Sequence, residues 1–427
     1  MSTQIDPPHG VHPVRVVVGD DLRRSRLTVL FRLILAIPHL VWIALFGIAA
    51  FTLAFVMWLA VLFERRAPAS LHGFLANFTR YSVHLTAYLC LAADPYPSFT
   101  GSNPYPVDVQ IDPPAVQGRW GAGFRLVLAI PAFVVSSALG GSVALGSAYG
   151  GAFAGAFGGL TATIGLLGWF ASLARGRMPR GMRDAAVYAL GYGAQPTAYA
   201  LMLTARYPDS TPGRVEPLPE LPAHSVSIAL DEDLRRPRLL VLFRFPLVVP
   251  HLVWLTLWSV LVVLAALLAW LAALVIGRVP RFLHRFMAAF VRAVTHLTAF
   301  LYLVGRQFPG FVGREGGYPI DLTIAPPTRQ RRLGILFRLV LGLPALLLAL
   351  TFAGVALVVA VLCWCTALAL GRVPGGLRDL GAASLRYQAQ ASAYALLLTQ
   401  RYPDSSPALR SPPPTPVQLT LEPIESA

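Results

Sequence analysis

One stretch of this chain recurs four times, and any fold it adopts has to repeat with it. Residues 29–42 read VLFRLILAIPHLVW and residues 241–254 read VLFRFPLVVPHLVW; residues 124–132 read FRLVLAIPA and residues 337–345 read FRLVLGLPA. The second and fourth copies also share LTARYPDSTP (203–212) and LTQRYPDSSP (398–407). Pro250 follows Pro38 by 212 residues and Pro344 follows Pro131 by 213, so the order is A-B-A′-B′. A two-unit ancestor was duplicated. The units are A (11–100), B (104–212), A′ (224–311) and B′ (317–407), followed by a Pro-rich tail over 408–427.

Each unit follows the same grammar. An alternating segment comes first: Val14-Val16-Val18, Val107-Val109-Ile111, Val226-Ile228-Leu230 or Ile320-Leu322-Ile324. Period-two alternation of this kind predicts a half-buried strand, and Val417-Leu419-Leu421 offers a fifth in the tail. An arginine cluster follows, then Arg32, Arg125, Arg244 or Arg338, then the proline and a long apolar run. The run ends at Pro68, Pro179, Pro280 or Pro374, and a second helix-length segment closes the unit. The two prolines stand 30 apart in three units and 48 apart in B, which therefore carries an 18-residue insertion rich in Gly and Ala. With no Lys behind it and apolar flanks, its Gly151-Gly155-Gly159 spacing suits close helix approach in lipid rather than a phosphate loop.

Length and pattern place the runs in a bilayer. Residues 39–63 are uncharged, long enough to cross ~30 Å of hydrocarbon and too long for a cleaved signal. Only 13% of the 427 residues are charged and 56% are hydrophobic, against about 25% charged in soluble domains. The net charge of +15 comes from 35 basic residues, every one an arginine. Because these flank apolar runs, they point to anionic headgroups and topology rather than to nucleic acid. Cys90, Cys363 and Cys365 lie inside apolar runs and have neither zinc spacing nor a disulfide framework.

The arginine-rich lead, FRLILAIPHLVW and the closing LTARYPDS resemble the bacterial membrane family catalogued as domain of unknown function 4389. The resemblance covers each repeat nearly end to end. It implies an integral membrane protein and brings no activity or catalytic residue with it.

The fold expected is mainly α and polytopic: four repeated helical hairpins, about eight spans, with a small β module built from the short strands at each repeat start. Pairing of those strands in one sheet would hold every unit's start on one face, so each unit would cross an even number of times. The second helices carry a polar stripe at helical spacing. It comprises Asn77, Arg80, His84 and Tyr88 in A, Gln195 and Tyr199 in B, Arg285, Arg292 and His296 in A′, and Asp379, Arg386, Gln390 and Tyr394 in B′. Such a stripe faces other helices or a wet cavity rather than lipid. Three readings follow: mutual satisfaction between hairpins in a non-enzymatic scaffold or partner-docking protein, a path for a small solute or proton, or an amphipathic helix lying in the interface.

Chemistry finds little support. His39 and His251, with His84 and His296, form two matched pairs, but B and B′ have Ala132, Ala345, Gln195 and Gln390 there. No cofactor or metal is expected, and no nucleophile-base pattern marks an enzyme. Eleven arginines fall at hairpin tips, three mid-helix and 21 on the strand side. By positive-inside counting this predicts a multi-pass protein of the cell membrane with cytoplasmic termini, a partner docking at that face.

Overall fold

The computed structural model describes residues 12–140, 159–213, 224–228 and 233–407. The Gly/Ala insertion, the Pro-rich tail and its fifth strand lie outside the described residues. Within them the chain is mainly helical, and the fourfold grammar becomes fourfold architecture. Unit A has β1 (Val14–Val18), α1 (Arg26–Glu64) and α2 (Ala69–Leu89). Unit B has β2 (Val107–Ile111), α3 (Arg119–Gly123), α4 (Arg125–Leu139), α5 (Gly159–Arg175) and α6 (Arg180–Ala200). A′ has β3 (Val226–Ile228), α7 (Arg238–Leu242), α8 (Arg244–Ile276) and α9 (Arg281–Leu301). B′ has β4 (Leu322–Ile324), α10 (Arg332–Leu336), α11 (Arg338–Leu370) and α12 (Gly375–Ala395).

The long first helices, here termed rods, begin well before their prolines: Pro38, Pro131, Pro250 and Pro344 all sit inside helix. Each lead arginine cluster ends at a helix start, where Arg26, Arg119, Arg238 and Arg332 are the first helical residues. Rods end in a left-handed residue, Arg65 in A and glycine in the other three units, where glycine carries no Cβ penalty. Pro68, Pro179, Pro280 and Pro374 then start the 21-residue second helices, at a position where the missing N–H costs no helix bond. In B the rod is split. Its two described pieces, α4 and α5, meet end to end, Thr161 Oγ1 donating to the Gly140 carbonyl at 2.8 Å.

Strand pairing differs from the single sheet expected. β1 pairs antiparallel with β2, Val14 opposite Ile111, and β3 pairs antiparallel with β4, Val226 opposite Ile324. Among the described residues two ribbons result, each joining an A unit to its B unit. Antiparallel strands send the two chains off in opposite directions, and neighbouring rods therefore lie head to tail. The tip of B meets the lead of A through the bridge between Arg177 and Arg23, and the tip of A meets the lead of B between Arg66 and Val116. Arg235 and Arg372 repeat the first contact, and Gln330 N–H donates to Gly277 O in place of the second. Tryptophans fasten these junctions: Trp58, Trp169, Trp270 and Trp364 donate to the carbonyls of Ala122, Val29, Ile335 and Val241. Tips and leads thus share ends of the molecule. The sorting of arginines into a tip side and a strand side does not describe the fold and assigns no cytoplasmic face.

Three layers follow from these contacts. The rods form one, α1 against α5 and α11 against both α4 and α5. The second helices form the next, α2 packing on α6 and α9 on α12. The ribbons lie outermost, β2 and β1 over α2 and α6, β4 and β3 over α9 and α12. α1 buries one narrow row (Val29, Arg32, Ala36, His39, Ile43, Gly47, Ala50, Met57 and Val61), while residues from Leu27 to Phe63 stand exposed around it. α1, α8 and α11 are long and apolar enough to cross a membrane.

Candidate functional site

The four recurrent arginines point inward. Arg32, Arg125, Arg244 and Arg338 are buried, and each guanidinium lies 4.1–4.3 Å above an aromatic ring of its own second helix: Tyr88, Tyr199, Phe300 and Tyr394. Each also donates to carbonyls at that helix's C-terminal end. Arg32 reaches Tyr88 O and Ala93 O, Arg125 reaches Tyr199 O and Thr204 O, Arg244 reaches Phe300 O and Gly305 O, and Arg338 reaches Thr399 O. A cation here meets both the helix dipole and otherwise orphaned carbonyls. The carbonyls are presented because Leu91, Met202, Leu303 and Leu397 turn the chain with φ near +60°. A second donor completes each clamp: Arg24 and Arg236 in the A units, Gln117 and Gln330 in the B units.

The polar stripe is bound along most of its length. Arg80 grips Asp108 of β2 with two hydrogen bonds, 3.1 and 2.6 Å, and His84 Nε2 meets the same carboxylate at 2.8 Å. Burial opposes ionisation of Asp108, but the bonds from His84 and Arg80 outweigh it and hold its carboxyl well below the usual carboxylate range. In A′ the pattern recurs: Arg292 donates to Leu322 O and Glu315, and His296 meets Asp321 at 3.1 Å. In the B units glutamine replaces histidine. Gln195 Oε1 accepts from Asp209 N–H and Gln390 Oε1 from Asp404 N–H, while Gln390 also donates to Val226 O of β3. Arg386 donates to Ser406 O, and Asp379 pairs with Arg378 at 2.7 Å. Tyr88, Tyr199 and Tyr394 are the rings beneath the buried arginines. Asn77 is half-buried under the return segment, where Gly101 packs on its carbonyl; Arg285 is exposed and stands apart from these clusters.

The histidines do not face one another across units. His39 bonds the Tyr81 hydroxyl at 2.7 Å and stacks on Phe99; His251 bonds Pro309 O at 3.0 Å and stacks on Phe311. Among the described residues no group of three metal-ligating side chains forms. Two cavities stand out. One, of about 280 Å³, lies between α9 and α12; the other, of about 960 Å³, lies at the junction of the A lead and the B tip. Stripe residues line neither.

Sequence reasoning missed Asp108, Asp321 and Glu315 as partners of the stripe. A signal existed: both B-type alternating segments carry an acid, VDVQI and IDLTI, and a half-buried segment accepts a carboxylate where a cation awaits it.

The family model described as a domain of unknown function (DUF4389) matches the chain twice, at residues 26–101 and 332–405. No curated protein and no solved structure matches it.

Proposed function

We propose that this chain, which carries domain of unknown function 4389 in two copies, is a non-enzymatic membrane scaffold. Its rods lie along the bilayer within one leaflet, and its second-helix and ribbon layers stand in water as a surface for a protein partner. The observation that carries this reading is the course of the return segments. Residues 90–106 and 302–321 contain no helix or strand, yet they run back along α2 and α9. Gly101 packs on the backbone of Asn77 and Tyr81, and Gly313 on that of Ala289 and Ala293. Hydrocarbon does not admit lipid-facing irregular backbone, so this side is wet along the whole second helix. On the opposite side α1 exposes apolar side chains from Leu27 to Phe63, ~55 Å at ~1.5 Å per residue. That is about twice the apolar thickness of a bilayer. A rod too long to stand upright, with a wet layer along its back, lies down.

The eight-span, multi-pass alternative keeps the rods upright and requires the return segments to face an enclosed aqueous space, the setting for a solute path. The cleft between α9 and α12, lined by Thr295, Thr298, Gln388 and Ser392, is the feature that favours it. Tryptophan depth separates the two. Single-tryptophan variants retaining Trp42 at mid-rod or Trp120 at a rod end are quenched with lipids brominated at graded depths. The scaffold reading expects one common depth; an upright rod puts Trp42 near the bilayer centre and Trp120 at the headgroups.

A further inference from the structure

The larger of the two cavities described above lies where the A lead passes the B tip, and Arg23, Arg24, Arg175 and Arg177 line it together with Ser25 and the backbone of Gly176. The walls are fixed by backbone bonds, Arg24 N–H to Gly176 O at 3.0 Å and Met178 N–H to Leu22 O at 3.0 Å. Arg24 is consumed internally by Asp20 and by the carbonyls of Leu91 and Ala92. Arg23, Arg175 and Arg177 are exposed, as is Arg26, which donates to Ala174 O. Three acids share the cavity. Asp20 is held by Arg24, and Asp94 by Arg32 and the Ser25 N–H; Asp21 is exposed and accepts the Arg23 N–H. The open wall is therefore cationic. The first turn of α1, which begins at this wall, contains no acid, and Ser25 makes no side-chain cap, so the positive end of the helix dipole adds to the arginines on this side, where the Asp94 carboxylate accepts the Ser25 N–H. One residue further on the exposed apolar face begins, with Leu27, Leu30 and Phe31.

We propose that this junction binds the phosphate of an anionic phospholipid, its three exposed arginines holding the headgroup while the acyl chains follow the apolar face of α1. Bidentate guanidinium donors suit a phosphodiester, and cations beside an apolar surface match a headgroup beside its tails. The assignment rests on the reading of the rods as the lipid-contacting layer and adds a defined site to it.

The test uses the full chain in a neutral detergent, with binding followed by native mass spectrometry and thermal shift. The probes are short-chain phosphatidylglycerol, phosphatidylcholine of the same chain length and inorganic phosphate. Phosphatidylglycerol is expected to bind and stabilise, phosphatidylcholine to do neither. R23Q/R175Q/R177Q should weaken phosphatidylglycerol about fivefold for each arginine removed, with the lipid-free melting temperature unchanged because all three side chains are exposed; R15Q on the ribbon should leave binding intact. Equal binding of the two lipids, or full binding by the triple variant, would overturn the site. Stabilisation by inorganic phosphate equal to that by the lipid would overturn the lipid as its source. Tryptophan depth, measured on the same variant, keeps the two readings apart. Selectivity retained by the triple variant with tryptophans still at one depth refutes this site alone; selectivity lost by the variant with Trp42 at the bilayer centre refutes the lying rod instead.

Discussion

Replacing Arg32 with leucine tests what the recurrent rod arginines are for. Were Arg32 a headgroup contact or a topology signal, leucine would leave stability unchanged and suit the lipid better. The structure places it 2% exposed, over the ring of Tyr88 at 4.3 Å, donating to Tyr88 O and Ala93 O and paired with Asp94 at 2.6 Å. Leucine would strand two carbonyls at about 1–3 kcal/mol each and remove a desolvated cation–π contact of up to ~2 kcal/mol. Asp94 is partly exposed, so water takes over much of its share, and relief of the guanidinium's own desolvation offsets part of the rest. A net loss of about 3–5 kcal/mol remains, in line with breaking a buried charge pair. Arg32→Lys, which keeps the charge but loses the planar fork, should fall between. Chemical denaturation in mild detergent, followed by tryptophan fluorescence, reads both. Arg32→Leu within ~0.5 kcal/mol of the parent would refute the clamp.

Other predictions follow from the same geometry. The depressed Asp108 carboxyl stabilises the fold above its unfolded pKa, ~3.9, and that stability is lost as pH falls through the lower folded value; the melting temperature should hold at neutral pH and decline in acid, with a shallower acid limb in Asp108→Asn. Gly101→Ala puts a Cβ on the Asn77 carbonyl and 2.7 Å from the Tyr81 nitrogen at a φ of +67°, a cost of about 1–3 kcal/mol. Gly19→Ala, with nothing within 4 Å, should be neutral in the same melts. Arg292→Leu breaks the bonds to Leu322 O and Glu315 and should lower the melting temperature; normal stability with altered solute flux in proteoliposomes would favour the transport reading.

Much of this architecture is legible in one sequence because four copies share a grammar. The alternating segments become strands at Val14–Val18, Val107–Ile111, Val226–Ile228 and Leu322–Ile324, and the second prolines mark helix starts. Periodicity also finds the stripe, since Arg80 and His84 lie one turn apart and reach the same carboxylate. What local pattern does not contain is direction. Whether β1 meets β2 parallel or antiparallel decides that rods lie head to tail, and only pairing across ~90 residues of sequence sets it. The inward aim of Arg32 is equally silent, because a flanking arginine in an apolar run reads the same whether it reaches for a headgroup or for a helix end. Glu315 sits in a loop with no pattern at all.

The central claim is that the ribbon layer is open to water while the rods are sunk in lipid. In a Cys365→Ser background, where Cys90 and Cys363 are buried, cysteines placed at Gln110 on β2 and Leu45 on α1 are challenged in proteoliposomes with a membrane-impermeant polymer-linked maleimide too bulky for an enclosed cavity. The account predicts rapid labelling at 110 and none at 45. Protection at 110 after reconstitution, with labelling restored on denaturation, would contradict it.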